Sequence, residues 1–209
     1  MHHPTPESGF SLVETLVAIT LLLIVITGPM VVSTSTARST SFASEQVVAF
    51  FLAQEGVEMV QRARDDLYLQ AFSTKFDSVL DNELNNTDQW NLFADRNGTY
   101  RNCYVATNSD GCGLGLNTDP DGSLKAPIDC GTNSSSCRLY YDEDGERSRY
   151  THTASGNEET PYTRVIKLED DPARPDEIKV TSRVTWRTGS RRDVQESVVE
   201  TYLFNAWYE

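Results

Sequence analysis

The chain has 209 residues, which is enough for one N-terminal stem and one head domain. Its formal net charge of −13 and sequence pI of about 4.6 argue against nucleic-acid binding by the head, because phosphate contacts need clustered Lys and Arg side chains. The mean hydropathy of −0.45 is low although the chain contains a long apolar segment, so the remainder must be strongly hydrophilic. That balance is typical of an exported domain.

An apolar segment covers residues 10–32, and Glu14 is its only charged residue. A membrane-spanning helix needs roughly 20 apolar residues, so this segment is long enough to cross a bilayer. An acidic residue at mid-membrane costs about 2.5–3.5 kcal/mol on insertion scales, and such residues therefore usually have a partner and a function. The sequence predicts one membrane-spanning helix that contains a functional carboxylate.

The order Gly9, Phe10 and then an apolar run with Glu14 as the fifth residue from Phe10 resembles the class III leader of type IV prepilins and pseudopilins. The resemblance implies that prepilin peptidase cleaves between Gly9 and Phe10 and methylates the new amino group of Phe10. It also implies that Glu14 pairs with the α-amine of a neighbouring subunit, which would relieve the desolvation cost of both charges. The leader, residues 1–9, departs from the family pattern in having no Lys or Arg.

Three other interpretations of the apolar segment compete with this one. A secretory signal has an apolar region of only about 7–15 residues, which follows a basic region and ends in small residues. A generic single-pass anchor explains the length but not the spacing between Gly9 and Glu14. A buried core helix is rarely apolar over so long a run near a terminus.

The stem is predicted to cover residues 10–68. Gly28 and Pro29 interrupt the apolar run, and because proline removes a main-chain hydrogen bond we expect a helix break there, as a kink or as local melting. Helical periodicity then resumes, with Gly56 as a weak point that costs about 1 kcal/mol relative to alanine. The apolar positions expected to face the head are Ala43, Val47, Phe50, Ala53, Val57, Val60 and Leu67.

The head, residues 69–209, begins with short helical patterns. One amphipathic helix is predicted around residues 76–84, and a second, capped by Thr87, contains Trp90 and Phe93. The following region, residues 97–137, is dense in Gly, Asn, Asp and Ser and predicts loops. Loops of this length in a compact domain need cross-links.

Four cysteines in the head could supply those cross-links, namely Cys103, Cys112, Cys130 and Cys137. An even number in an extracytoplasmic domain suggests two disulfides, for which three connectivities exist. The spacings favour the local pairs Cys103–Cys112 and Cys130–Cys137, and they fit zinc sites poorly.

The C-terminal third predicts an antiparallel sheet over residues 138–206. Apolar and polar residues alternate along residues 177–186, which indicates a strand with one buried face, and a turn leads into a second strand over residues 193–204. Residues 138–141 and 162–168 predict two more strands. A long helix followed by loops and an antiparallel sheet is an α+β pattern, and it matches the architecture of pilins.

Evidence for a metal or an active site is weak. Two acidic turns bring together oxygen ligands that calcium could use, but neither completes an EF-hand. The candidates are Asp119, Asp121, Asp142 and Asp144. No other cofactor is expected. His152 is the only histidine outside the leader, and no G-x-S-x-G motif accompanies it, so we do not expect an enzyme.

The resemblance therefore implies a structural minor subunit of a type IV pilus or of a type II secretion pseudopilus. Its partners would be other pilin or pseudopilin subunits, contacted through the stem, together with prepilin peptidase and the inner-membrane assembly platform. It would span the bacterial inner membrane once, with the head outside the cytoplasm, and later enter the filament. The alternative is a single-pass, membrane-anchored extracytoplasmic binding module or adhesin; a tethered hydrolase is disfavoured by the residues present.

Overall fold

The computed structural model describes residues 9, 11–76, 86–104, 110–115, 126–143, 149–188 and 193–205, with the backbone alone for residues 70–76 and 86–88. The chain divides into two compact units, Met1–Ser44 and Glu45–Glu209. The first is helical in its described part. The second contains the remainder of the long helix, a shorter helix and the sheet.

The long helix α1 begins at Leu12 and ends at Phe76. Its first turn is closed by the carbonyl of Ser11, which accepts hydrogen bonds from the backbone N–H groups of Glu14 and Thr15 at 2.9 and 3.2 Å. The end at Phe76 lies beyond residue 68, at which the stem was predicted to end. Helix α2 covers Asn86–Ala94 and contains Trp90 and Phe93, as predicted. Thr87 lies inside α2 and not before it, so the predicted cap is wrong, and most of the helix predicted over 76–84 lies outside the described residues.

The face that α1 buries against the sheet differs in part from the predicted stripe. Ala53, Val57 and Val60 are buried, whereas Val47 and Phe50 are 55% and 49% exposed. Ala43 is also exposed, and Leu67 is half-buried. The buried positions that the prediction missed are Ala49, Leu52, Gly56, Met59, Ala63 and Tyr68. Several of these side chains are small, because a sheet can approach a helix closely only where the helix carries little side-chain volume.

Within the described residues, seven strands form one sheet, and every pair of named strands in it is antiparallel. The strands are β1 (Cys112–Gly113), β2 (Ile128–Asp129), β3 (Arg138–Asp142), β4 (Arg149–Thr151), β5 (Glu158–Asp171), β6 (Arg174–Trp186) and β7 (Gln195–Phe204). Strand β5 is central: it pairs with β6 along one edge and with β1 and β3 along the other. β7 extends the sheet beyond β6, β4 pairs with β3, and β2 pairs with β1.

The four predicted strands are present, with β5 longer than expected at both ends. The predicted alternation on β6 is confirmed, since Ile178, Val180 and Trp186 are buried on the face that meets α1. The prediction missed β1, β2 and β4, which have two or three residues each and are too short to show a period in the sequence.

The main core lies where α1, α2 and the sheet meet. It contains Trp90 and Phe93 of α2, whose rings lie 5.9 Å apart, and the Trp90 indole donates a hydrogen bond to the Pro175 carbonyl at 3.0 Å. The other buried members include Val57, Met59, Val60, Ala63, Ile166, Leu168, Ile178 and Val180. A long N-terminal helix packed against an antiparallel sheet makes this an α+β fold with a pilin-like layout.

Candidate functional site

The first candidate site is the start of α1. Gly9 is exposed, and Glu14 lies in the first turn of the helix with its side chain exposed. The helix dipole gives the first turn a partial positive charge, so a carboxylate is favourable there. Phe10 and residues 1–8 lie outside the described residues, so the junction between Gly9 and Phe10 is known from sequence alone.

The apolar part of α1 carries its hydrophobic side chains on its outside. One helix of the described chain, Leu12–Leu69, is long and apolar enough to cross a membrane by length and composition; its most apolar window has a mean hydropathy of 2.5 and is entirely unburied. The exposed large side chains are Leu12, Val13, Leu16, Val17, Ile19, Leu21, Leu22, Leu23, Ile24, Val25, Ile26, Met30, Val31 and Val32. Such a surface fits a single-pass membrane anchor.

The threonine hydroxyl groups in this segment are satisfied within the helix. Thr15, Thr20 and Thr27 each donate a hydrogen bond to a backbone carbonyl three or four residues earlier, at 2.9, 2.8 and 2.8 Å. Hydrocarbon offers no hydrogen-bond partners, so a spanning helix must satisfy its polar groups internally. The threonines that interrupt the apolar run are therefore compatible with a membrane.

The helix break predicted at Gly28 and Pro29 is not a break in the isolated chain. α1 continues through both residues as helix, so the local melting expected there is absent. A single proline removes one hydrogen bond of the helix, and the bonds on either side hold the backbone in place. A bend at Pro29, or unwinding when subunits pack, stays a prediction.

A second site lies in the head, where the guanidinium of Arg164 on β5 is fully buried against α1. It donates to the carboxylate of Glu55 at 2.6 Å and to the carbonyls of Leu52 and Leu114 at 3.2 and 3.0 Å, while Met59 Sδ lies 3.3 Å away. Burial lowers the pKa of Arg164, and the Glu55 carboxylate opposes that change. A buried cation is tolerated only with partners of this kind.

Gly56 makes this approach possible. A Cβ atom placed on Gly56 would overlap the Ser182 hydroxyl oxygen on β6 and lie 3.1 Å from Cδ of Arg164. The glycine that the sequence marks as a weak point of the helix is therefore a point where side chains of two strands pack directly against the helix. Neither Arg164 nor Gly56 was predicted as a site; the available signal was the position of Arg164 on the inward face of β5, in register with the buried Val184.

Two disulfides cross-link the loop region, Cys103–Cys112 and Cys130–Cys137, which is the local pairing that the spacing favours. All four cysteines are buried. Cys103 and Cys112 belong to the main core, whereas Cys130 and Cys137 pack against Val165 on the opposite face of the sheet. Both faces of β5 are thus covered, one by α1 and the other by the second disulfide.

His152 follows β4 and lies beside that second disulfide. Its Nδ1 is 3.2 Å from the carbonyl oxygen of Arg138, and its Nε2 is shielded from solvent with no hydrogen-bond partner among the described residues. Burial, with the positive charge of Arg164, lowers the pKa of His152 to about 4. The imidazole is therefore neutral at physiological pH.

Of the four calcium candidates, Asp142 alone lies in the described part of the chain. Asp142 lies at the end of β3 and accepts a hydrogen bond from Arg149 at 3.3 Å. Asp119, Asp121 and Asp144 lie outside the described residues. Among the residues that the structure describes, no group of three or more His, Cys, Asp and Glu side chains could hold a metal ion.

Comparison with protein families identifies one match. Residues 5–28 match the model of the prokaryotic N-terminal methylation motif. That motif is the class III prepilin leader of type IV pilins and pseudopilins, and the match covers Gly9, Phe10 and Glu14. No curated protein and no solved structure matches the chain.

Proposed function

We propose that this chain, which carries the class III prepilin leader of type IV pilins and pseudopilins, is a structural minor subunit of a type IV pilus or a type II secretion pseudopilus. In this proposal prepilin peptidase cleaves between Gly9 and Phe10, Phe10 is N-methylated, and Glu14 pairs with the α-amine of a neighbouring subunit. The head lies outside the cytoplasm, and the inner-membrane assembly platform moves the subunit into the filament. The motif also favours a structural subunit over an enzyme.

The single observation that carries the proposal is the methylation motif at the start of an unburied apolar helix. The apolar side chains of residues 12–32 are exposed, so only contact with lipid or with other apolar helices would remove them from water and stabilise them. A membrane and a bundle of stems provide those two environments in turn. An anchored adhesin would use the first environment only, and it would not need a carboxylate at Glu14.

Mass spectrometry of the mature N-terminus tests the proposal. In cells that contain prepilin peptidase, the protein should begin at N-methylated Phe10. Gly9→Val should leave the precursor uncleaved in the membrane, because a β-branched side chain does not fit a site shaped for glycine. Gly28→Val places the same substitution inside the apolar segment and should be cleaved normally. Recovery of the wild-type chain with residues 1–9 intact would refute processing and favour the plain anchor.

A further inference from the structure

Strand β7 forms an edge of the sheet and is much longer than the other edge strands. It has ten residues, Gln195–Phe204, whereas β2 and β4 have two and three. Among the described residues, the strand that pairs with β7 is β6 alone. Every second residue of such a strand directs its backbone N–H and C=O groups away from the neighbour. A long row of these groups along an edge is a template for pairing with a further strand.

The sequence of β7 lacks the features that usually protect an edge strand. Its ten residues include no Pro, Lys or Arg. The pairing with β6 runs through ten consecutive residue pairs, from Trp186 opposite Gln195 to Glu177 opposite Phe204, without the register shift of a bulge. Natural proteins commonly block a long edge with a proline, a basic side chain or a bulge. β7 is therefore a regular strand that can accept another strand along its outer edge.

The exposed face of β7 presents apolar side chains beside this edge. Val198, Tyr202 and Phe204 lie on one face of the strand, because they are separated by even numbers of residues. Their side chains are 41%, 46% and 57% exposed, respectively. A strand added to β7 would cover them with its own side chains, since cross-strand neighbours on one face of a sheet contact each other. Apolar contact would thus add to the backbone hydrogen bonds of the edge.

The charges on this face indicate what kind of strand fits. The charged residues of β7 are Glu196 and Glu200. On the paired side, β6 meets them with Arg183, 3.9 Å from Glu196, and with Lys179, 2.8 Å from Glu200. A basic strand on the open side would repeat this arrangement. The β7 strand of a second copy would bring two more glutamates and no basic residue, and like charges across a strand pair are destabilising.

We propose that the open edge of β7 binds an extended segment of another protein as an additional strand of the sheet. The segment carries Lys or Arg beside Glu196 and Glu200 and apolar side chains beside Val198 and Tyr202. Backbone hydrogen bonds supply affinity in this mode of recognition, and the alternating side chains supply specificity. The free edges β2 and β4 of a neighbouring copy are too short to cover β7. The inference goes beyond the proposed filament role, because it concerns a partner of the head and does not require assembly.

The test uses a peptide with the sequence of residues 177–186, because β6 is the strand whose pairing with β7 is known. Full-length protein in detergent is titrated into the fluorescein-labelled peptide, and anisotropy measures binding. A control peptide with the same side chains is N-methylated at the residues equivalent to Thr181 and Ser182, which removes a backbone donor from each of its edges. Val198→Lys places a basic side chain on the edge strand, and Leu92→Lys makes the same change at an exposed apolar position of α2. We expect Val198→Lys to weaken binding by about tenfold or more, Leu92→Lys to bind like wild type and the methylated peptide not to bind.

Hydrogen exchange of the wild-type protein locates the contact. The peptide should slow exchange of backbone amides in residues 195–204 and leave α2 unchanged. Equal affinity of the two peptides, equal affinity of wild type and Val198→Lys, or no binding to wild type would overturn the proposal. Protection of β7 that rises with protein concentration alone, together with a dimer in sedimentation, would also overturn it, since a second copy would then occupy the edge. If Val198→Lys does not fold, the methylated peptide and the exchange pattern of wild type still decide.

Discussion

Gly56 of α1 and Ser182 of β6 are so close that a methyl group on the glycine would overlap the serine hydroxyl oxygen. Any side chain at position 56 would therefore require the Ser182 hydroxyl to shift. In an unpacked helix, alanine would be more favourable than glycine by about 1 kcal/mol. The tertiary contact reverses that preference.

Gly56→Ala should destabilise the head by about 1–3 kcal/mol, the usual cost of overpacking, despite the gain in helix propensity. Urea unfolding followed by tryptophan fluorescence measures the change. Ser182→Ala in the same chain should recover most of the loss, because it removes the overlapping oxygen. Gly28→Ala is the control: nothing lies within 4 Å of a Cβ atom there, so the head should keep its stability. A Gly56→Ala protein as stable as wild type would contradict the close contact.

Removing the carboxylate partner of Arg164 should also destabilise the head. Glu55→Gln leaves the guanidinium buried with carbonyl acceptors only, and we expect a loss of about 2–4 kcal/mol, since breaking a buried pair typically costs about 3–5 kcal/mol and the Glu55 side chain is 29% exposed. Glu58→Gln changes an exposed carboxylate on the same helix and should cost less than about 0.5 kcal/mol. Equal stability of the two variants would show that Glu55 does not hold Arg164.

Acid should destabilise the head partly through His152. The folded-state pKa of about 4 lies below the ordinary value of 6.5. Above pH 6.5 the ring is neutral in both states; as pH falls from 6.5 to 4, only the unfolded chain takes up the proton, so the free energy of unfolding falls. Because the ring is partly exposed, the contribution of His152 to this fall in the free energy of unfolding is about 1–3 kcal/mol.

Unfolding of wild type and His152→Asn at several pH values measures the contribution of His152 to the pH dependence of stability. The difference in stability between the two proteins should change between pH 6.5 and 4 and be constant above pH 7. A constant difference over the whole range would show that His152 takes up its proton as readily in the folded head as in the unfolded chain.

Glu14 distinguishes a filament subunit from a simple anchor. Glu14→Leu should leave cleavage and membrane insertion intact, because the apolar segment becomes more apolar. Incorporation into filaments should fall by tenfold or more, since the α-amine of a neighbour loses its partner in an apolar bundle. Immunoblots of the membrane pool and of sheared filaments measure both quantities. Glu14→Asp, which keeps the charge, should be incorporated better than Glu14→Leu. Equal incorporation of wild type and Glu14→Leu would exclude charge pairing.

Local patterns predicted much of this fold. The alternation along β6 identified Val180 and Trp186 as buried, and the apolar run identified the start of α1. The buried face of α1 was only half predicted, because large side chains such as Phe50 were assigned to it. The structure places small residues there, and Phe50 faces solvent. Hydrophobicity alone does not indicate where close packing against the sheet requires small side chains on the helix.

The site at Arg164 could not be predicted from local sequence patterns, for a different reason. Its carbonyl partners Leu52 and Leu114 lie 112 and 50 residues away along the chain. Nothing in the sequence near β5 specifies which acceptors an inward arginine would find. Only the packing of α1 and the loop region onto the sheet brings them together.

The short span of each disulfide bears on how the head avoids mispairing. Each native bridge joins cysteines 9 or 7 residues apart. The nearest cysteines of different bridges, Cys112 and Cys130, are about twice as far apart, and loop-closure entropy makes that encounter roughly threefold less frequent in a flexible chain. Oxidation that begins before the sheet has formed is thus biased towards the native bridges.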